Sequence, residues 1–200
     1  MGACVVVLKQ LTKLRKATRR YLSIGSIMAT NKSIYFGYGS NLLERRMHRS
    51  NPNAVRYGKG VLKDFKLDMG AYSPFWKGCG ATIVQAPGHK VWGALWELKD
   101  EDFVNLDRQE GVHLNVYKRI IVEIETPEGQ KVNAIAYQVV KQFERFDLTN
   151  LPAERRPSPA YMDVIIKGAQ ETGLPIDYVK FLKTISTNGI DYVPNLDPEK

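Results

Sequence analysis

Glu110 is the side chain in this sequence best placed for proton chemistry. It closes the run Leu106-Asp107-Arg108-Gln109 and precedes Gly111, so it falls at the last turn of a short helix. An acid there faces the negative end of the helix dipole, where a cation would be favoured. That position raises its pKa, and apolar flanks would raise it further by desolvation, leaving a carboxyl group suited to passing a proton near neutral pH. The plainer reading is an exposed helix-end glutamate. A second stretch, Ile34-Tyr35-Phe36-Gly37-Tyr38-Gly39-Ser40-Asn41-Leu42-Leu43-Glu44, is a β-type run that breaks on glycine and turns into a helix. Asn41 with Glu44 three residues on has the look of a capping box, which would leave loop amides free at a helix N-terminus. Such a pocket fits a carboxylate or phosphate. A tight turn with no ligand is the plain alternative.

Other candidates are weaker. Tyr117, Tyr137 and Tyr161 fall at strand or helix-start positions and read as core aromatics with hydroxyls at the rim. No Ser-His-Asp arrangement accompanies Ser40, so it is not read as a nucleophile. The loop lacks the Lys of a Walker pattern and the third Gly of a dinucleotide fingerprint. His48, His89 and His113 lack metal-ligand spacing and read as surface or packing residues; no metal and no cofactor is expected.

The elements that would position these groups form one α+β domain. After the opening strand and helix, residues 61–69 alternate as a strand with Phe65, Leu67 and Met69 on one side. Residues 81–85 and 91–98 read as two strands joined by the turn Ala86-Pro87-Gly88. Asp100 is expected to cap the short helix carrying Phe103 and Leu106, which stops at Glu110-Gly111. Residues 116–125 and 132–140 form the clearest hairpin, across Thr126-Pro127-Glu128-Gly129. Residues 145–156 read as a loop. Ser158-Pro159 opens a helix ending at Gly173, and a last helix carries Tyr178, Phe181, Leu182 and Ile185. About six strands result, in a sheet able to curl into a barrel. The expected limits are a leader over residues 1–32, the folded domain over 33–188 and a loose tail over 189–200.

The charge of +8 is concentrated in the leader. Seven of the 29 basic residues lie in the first 32 positions with no acid, which leaves 22 basic against 21 acidic residues in the body. A neutral body argues against a nucleic-acid surface. Lys9, Lys13, Lys16 and Arg20 share one helical face opposite Val7, Leu11, Leu14 and Leu22, the composition of a mitochondrial transit peptide. Met28 offers an internal start that bypasses it, so the cytoplasm is the main expectation and the mitochondrion the alternative. No stretch approaches a membrane span. Cys4 and Cys79 make no disulfide framework, in keeping with a reducing compartment.

Taken together, Tyr38-Gly39-Ser40-Asn41, Leu106-Asp107-Arg108-Gln109-Glu110-Gly111-Val112, Val116-Tyr117, Tyr137, and Ser158-Pro159-Ala160-Tyr161 followed by Gly173-Leu174-Pro175 resemble the γ-glutamylcyclotransferases over roughly residues 34–185. The resemblance implies a mixed, mostly antiparallel barrel with flanking helices, often as a homodimer. It implies a substrate loop of Tyr38, Gly39, Ser40 and Asn41, with Glu110 as catalytic acid/base and Tyr117, Tyr137 and Tyr161 lining the substrate. The reaction implied releases 5-oxoproline and a free amino acid from a γ-glutamyl amino acid. Relatives acting on glutathione or γ-glutamylamines carry Leu at the position of Asn41. Gly37, where the family more often has Ala, and the basic leader depart from the pattern. Two other readings stand beside it: a non-catalytic binding module on the same fold, and a basic nucleic-acid or membrane binder resting on the leader alone.

Overall fold

The computed structural model describes residues 32–197; the leader, apart from Lys32, and the last three tail residues lie outside them. Five strands close a barrel in the order β1-β3-β2-β4-β5: β1 (Lys32–Gly37), β2 (Val55–Ser73), β3 (Gly78–Lys99), β4 (Tyr117–Glu125) and β5 (Lys131–Val139). All neighbours are antiparallel except β1 and β5, which meet in parallel at Tyr35 and Ile135, so the sheet is mixed.

The count is five rather than about six because Ala86-Pro87-Gly88 is not a turn between strands. Gln85 pairs with Phe65 and Lys90 with Lys63, so residues 86–89 bulge out opposite Asp64 within one continuous β3. Asp64 takes φ 61° and its carboxylate accepts the Gly88 amide at 2.9 Å, which closes the bulge. The partner β2 is correspondingly longer than residues 61–69, and the two form one arm folded at residues 74–77.

Helices flank the barrel: α1 (Glu44–His48), α2 (Phe103–Gln109), α3 (Pro159–Glu171) and α4 (Ile176–Leu182). The expected capping box is not formed. A single 3-10 turn, Ser40–Leu42, intervenes, Leu43 takes the cap position without a side-chain bond, and the Glu44 amide donates to Glu171 Oε1 at 3.0 Å. Asp100 likewise does not cap; it opens a 3-10 turn and accepts a hydrogen bond from Ser33 Oγ at 2.7 Å. Glu110 does end α2, and Gly111 follows at φ 64°, the left-handed backbone that glycine tolerates best. Ser158 caps α3 by accepting the Tyr161 amide at 3.2 Å.

The core is apolar inside the barrel and under α3, with Phe36, Leu95, Trp96, Leu106 and Ile165 fully buried. A close approach fixes α3 against the loop: a Cβ on Gly168 would lie 2.3 Å from the Leu43 nitrogen. Residues 145–156 carry two 3-10 turns and send Arg155 inward to a buried pair with Asp68 at 3.1 Å. Beyond Ser186 the chain lies along the body, where Asn188 Nδ2 donates to the Lys77 carbonyl at 2.7 Å and Arg45 pairs with Asp197. Among the described residues no helix is long and apolar enough to cross a membrane.

Candidate active site

A cavity of ≈ 270 Å³ opens beside the end of β1, and every sequence-derived site residue lines it: Tyr38, Gly39, Ser40, Asn41, Glu110, Tyr117, Tyr137 and Tyr161. The loop comes off β1, Glu110 off the end of α2, Tyr117 and Tyr137 off the β4–β5 hairpin, and Tyr161 off the first turn of α3. Four elements distant in sequence thus converge on one space. The sequence pattern missed Tyr35 and Arg46, which also line it, and gave no role to Gln109 although it stands within the quoted motif.

Glu110 is the only carboxylate among the described residues lining the cavity. Its backbone amide is fixed by the Leu106 carbonyl at 2.8 Å, and its Oε1 accepts from Gln109 Nε2 at 2.9 Å. Burial pushes its pKa up from the usual carboxylate range, opposed by the Gln109 hydrogen bond and the Arg46 charge. The helix-end position read from sequence is real, but desolvation is the larger cause.

Gln109 is the hub of a polar network. Arg46 NH1 donates to Gln109 Oε1 at 2.8 Å, Gln109 Nε2 reaches Asn41 Oδ1 at 3.2 Å, and Asn41 Nδ2 donates to the Tyr35 hydroxyl at 3.0 Å. Arg46 is only 4% exposed, lies against the Phe75 and Trp76 rings, and has no carboxylate in ion-pair reach among the described residues. Its charge and that of Arg108, which also lines the cavity, make the wall positive rather than a helix dipole. The five-residue α1 has little dipole, and the Leu42 and Leu43 amides turn back to the Gly39 and Ser40 carbonyls.

Backbone groups anchor Tyr38, Tyr117 and Tyr161, and a carboxylate anchors Tyr137. Tyr38 donates to the Tyr137 carbonyl, Tyr117 to the Ala81 carbonyl at 2.9 Å, and Tyr137 to Asp107 Oδ1 at 2.8 Å. Asp107 is clamped in turn by both arms of Arg119 at 2.7 Å. The Tyr161 hydroxyl accepts the Ala81 amide at 2.8 Å and faces the Ser40 amide. Burial raises the pKa of Tyr38, Tyr117 and Tyr161, so all three stay neutral phenols. A larger cleft, ≈ 470 Å³, opens between the strands around Thr82 and Gln138; its one acid, Asp68, is already held by Arg155.

The AIG2-like family model matches residues 90–182. The chain is 41% identical to the γ-glutamylcyclotransferase of Bos taurus over 170 residues, 83% of this chain and 84% of that protein. The Homo sapiens γ-glutamylcyclotransferase is 39% identical over the same shares. The chain belongs to the γ-glutamylcyclotransferase family. The fold agrees: a solved γ-glutamyl cyclotransferase superposes with a TM-score of 0.73 at 38% identity, covering 81% of this chain and 93% of that one.

Proposed function

We propose that the chain converts γ-glutamyl amino acids to 5-oxoproline and a free amino acid, with Glu110 as general base and then general acid. The observation that carries this is the solitary, half-buried carboxyl of Glu110 in a cavity whose other polar lining includes tyrosines, the loop after β1, Gln109 and the guanidinium groups of Arg46 and Arg108. The activity in the names of the bovine and human relatives supports it.

The substrate holds its own nucleophile, so no serine, metal or cofactor is called for. Glu110 takes a proton from the α-ammonium group, and the freed amine attacks the γ-carbonyl carbon to close a five-membered ring. Glu110 then returns that proton to the amide nitrogen as the carbon–nitrogen bond breaks. The ring nitrogen gives up its second proton to solvent, and the leaving amine takes one up. Holding the folded-back conformation contributes several kcal/mol and the proton relay roughly 10²–10⁴-fold in rate. Tyr38, Gly39, Ser40, Asn41, Tyr117, Tyr137 and Tyr161 bind the substrate, and Arg46 supplies the counter-charge for its carboxylates.

Asn41, standing where relatives acting on glutathione or γ-glutamylamines carry Leu, favours free γ-glutamyl amino acids as substrates. Glu110 itself weighs against a binding module without turnover. Residues 33–188 form the catalytic domain, active as a homodimer in the cytoplasm, with the leader as a separate address. Imaging the full chain beside one starting at Met28 tests that address; identical diffuse distributions would leave the leader no targeting role. The activity is tested by incubating the protein in parallel with γ-glutamyl-alanine, glutathione and γ-glutamyl-lysine and assaying 5-oxoproline. The dipeptide is expected to turn over fastest, and glutathione as best substrate would overturn the preference.

A further inference from the structure

Six tyrosines line the cavity, one of them, Tyr72, largely exposed, and their hydroxyl protons are not equally committed. Tyr38, Tyr117 and Tyr137 each donate to a protein oxygen. Tyr161 accepts the Ala81 amide and faces that of Ser40, and Tyr35 donates to no protein group either, for a reason that can be traced from Arg46. A guanidinium only donates, so the Gln109 atom it meets at 2.8 Å is the carbonyl oxygen. Gln109 Nε2 is then the donor to Asn41 Oδ1. With its oxygen accepting, Asn41 presents Nδ2 to Tyr35 at 3.0 Å. The Tyr35 hydroxyl is therefore an acceptor in this chain of bonds, and its own proton has no protein acceptor among the described residues.

That proton is well placed. Tyr35 is 5% exposed, its ring is held edge-on to Tyr137 with centroids 5.9 Å apart, and it lines the cavity that contains Glu110. Burial holds the phenol neutral and so keeps it a donor, and Glu110 is the strongest charge acting on it. Glu110 must serve both nitrogens bonded to the γ-carbon, and the remaining polar substituent on that carbon is the carbonyl oxygen. A substrate carboxylate is better met by Arg46.

We propose that Tyr35 is a catalytic residue whose hydroxyl donates a hydrogen bond to the γ-carbonyl oxygen of the substrate as that oxygen gains negative charge. No proton is transferred; the bond strengthens as the ring closes and relaxes when the carbonyl re-forms. Arg46, Gln109 and Asn41 fix its direction before substrate arrives, which is the preorganisation that makes such a donor effective. The inference rests on the cyclotransferase reading above.

The test is the steady-state turnover of γ-glutamyl-alanine by the full chain and by Tyr35→Phe, with thermal midpoints measured alongside. Loss of one preorganised donor is expected to lower kcat by about 10²–10³-fold, with KM held within about threefold. A kcat within about threefold of wild type, or a loss carried by KM alone, overturns the proposal. Wild-type release of 5-oxoproline separates the two readings: an inactive wild type removes both, and an active wild type with an unimpaired Tyr35→Phe removes this one alone. If Tyr35→Phe fails to fold, 3-fluorotyrosine at position 35 keeps the ring and hydroxyl but makes the phenol more acidic. Its kcat is expected to shift with KM unchanged, and an unchanged kcat overturns the proposal.

Discussion

Gln109 holds the residue that follows it: its Nε2 lies 2.9 Å from Glu110 Oε1, while its Oε1 takes a hydrogen bond from the buried Arg46. The acid at the end of α2 is therefore tied to α1 through one amide group, which also reaches Asn41 Oδ1 in the loop after β1 at 3.2 Å. The Gln109 hydrogen bond and the Arg46 charge both lower a pKa that burial has raised.

Replacing Gln109 with Leu removes the donor and leaves Asn41 and Arg46 without their partner. The Glu110 pKa rises further, so the acid limb of kcat/KM moves to higher pH, because the base form of Glu110 is lost sooner as pH falls. Misplacement of the carboxylate lowers kcat by up to about 10²-fold. A pH–rate profile with an unmoved acid limb would contradict the role given to Gln109.

Gly168→Ala tests how the loop is seated. The added Cβ would meet the Leu43 nitrogen at 2.3 Å and the Leu42 carbonyl carbon at 2.5 Å, both backbone atoms that cannot swing aside. Overpacking of this kind costs about 1–3 kcal/mol. Urea unfolding should show that loss together with reduced turnover, since the displaced segment carries Asn41. Wild-type values for both would mean that α3 does not set the loop.

Arg155 and Asp68 form a buried pair, and Arg155 also donates to the Met69 and Glu144 carbonyls. Arg155→Leu strands a buried carboxylate and should cost about 3–5 kcal/mol, whereas Asp68→Leu/Arg155→Leu should cost less than the sum of the single changes. Chemical denaturation of the four proteins measures the coupling. Additive losses would show that the pair is not a unit.

Glu110 should trade stability for activity. Its folded pKa lies above the unfolded value, so the folded chain binds the proton more tightly and stability falls as pH rises from the usual carboxylate range through the raised value. Glu110→Gln escapes that loss. Its thermal midpoint should exceed that of the wild type at about pH 8, with the difference closing by about pH 4. A lower midpoint for the variant at high pH would contradict the burial account of Glu110.

Much of the site was legible because its signals are local. Glu110 before Gly111, Ser158 before Pro159 and the residue 126–129 turn each declare themselves within a few positions, and the structure places all three as read. Asn41 shows the limit: a capping-box pattern describes a preference, and the tertiary demand of Gln109 and Tyr35 on its amide outweighed it. Arg46 and Gln109 are 63 positions apart, so neither announces the other in a linear pattern. Strand lengths were under-read for a similar reason. The bulge at residues 86–89 interrupts the alternation of β3, and its closure depends on Asp64 across the sheet.

Whether Glu110 moves the proton is measured by 5-oxoproline release from γ-glutamyl-alanine by Glu110→Gln. The amide keeps the shape and the Gln109 contact but cannot take the ammonium proton. Turnover should fall by about 10²–10⁴-fold, with substrate binding and fold largely retained. A variant keeping more than about a tenth of the wild-type rate would contradict it.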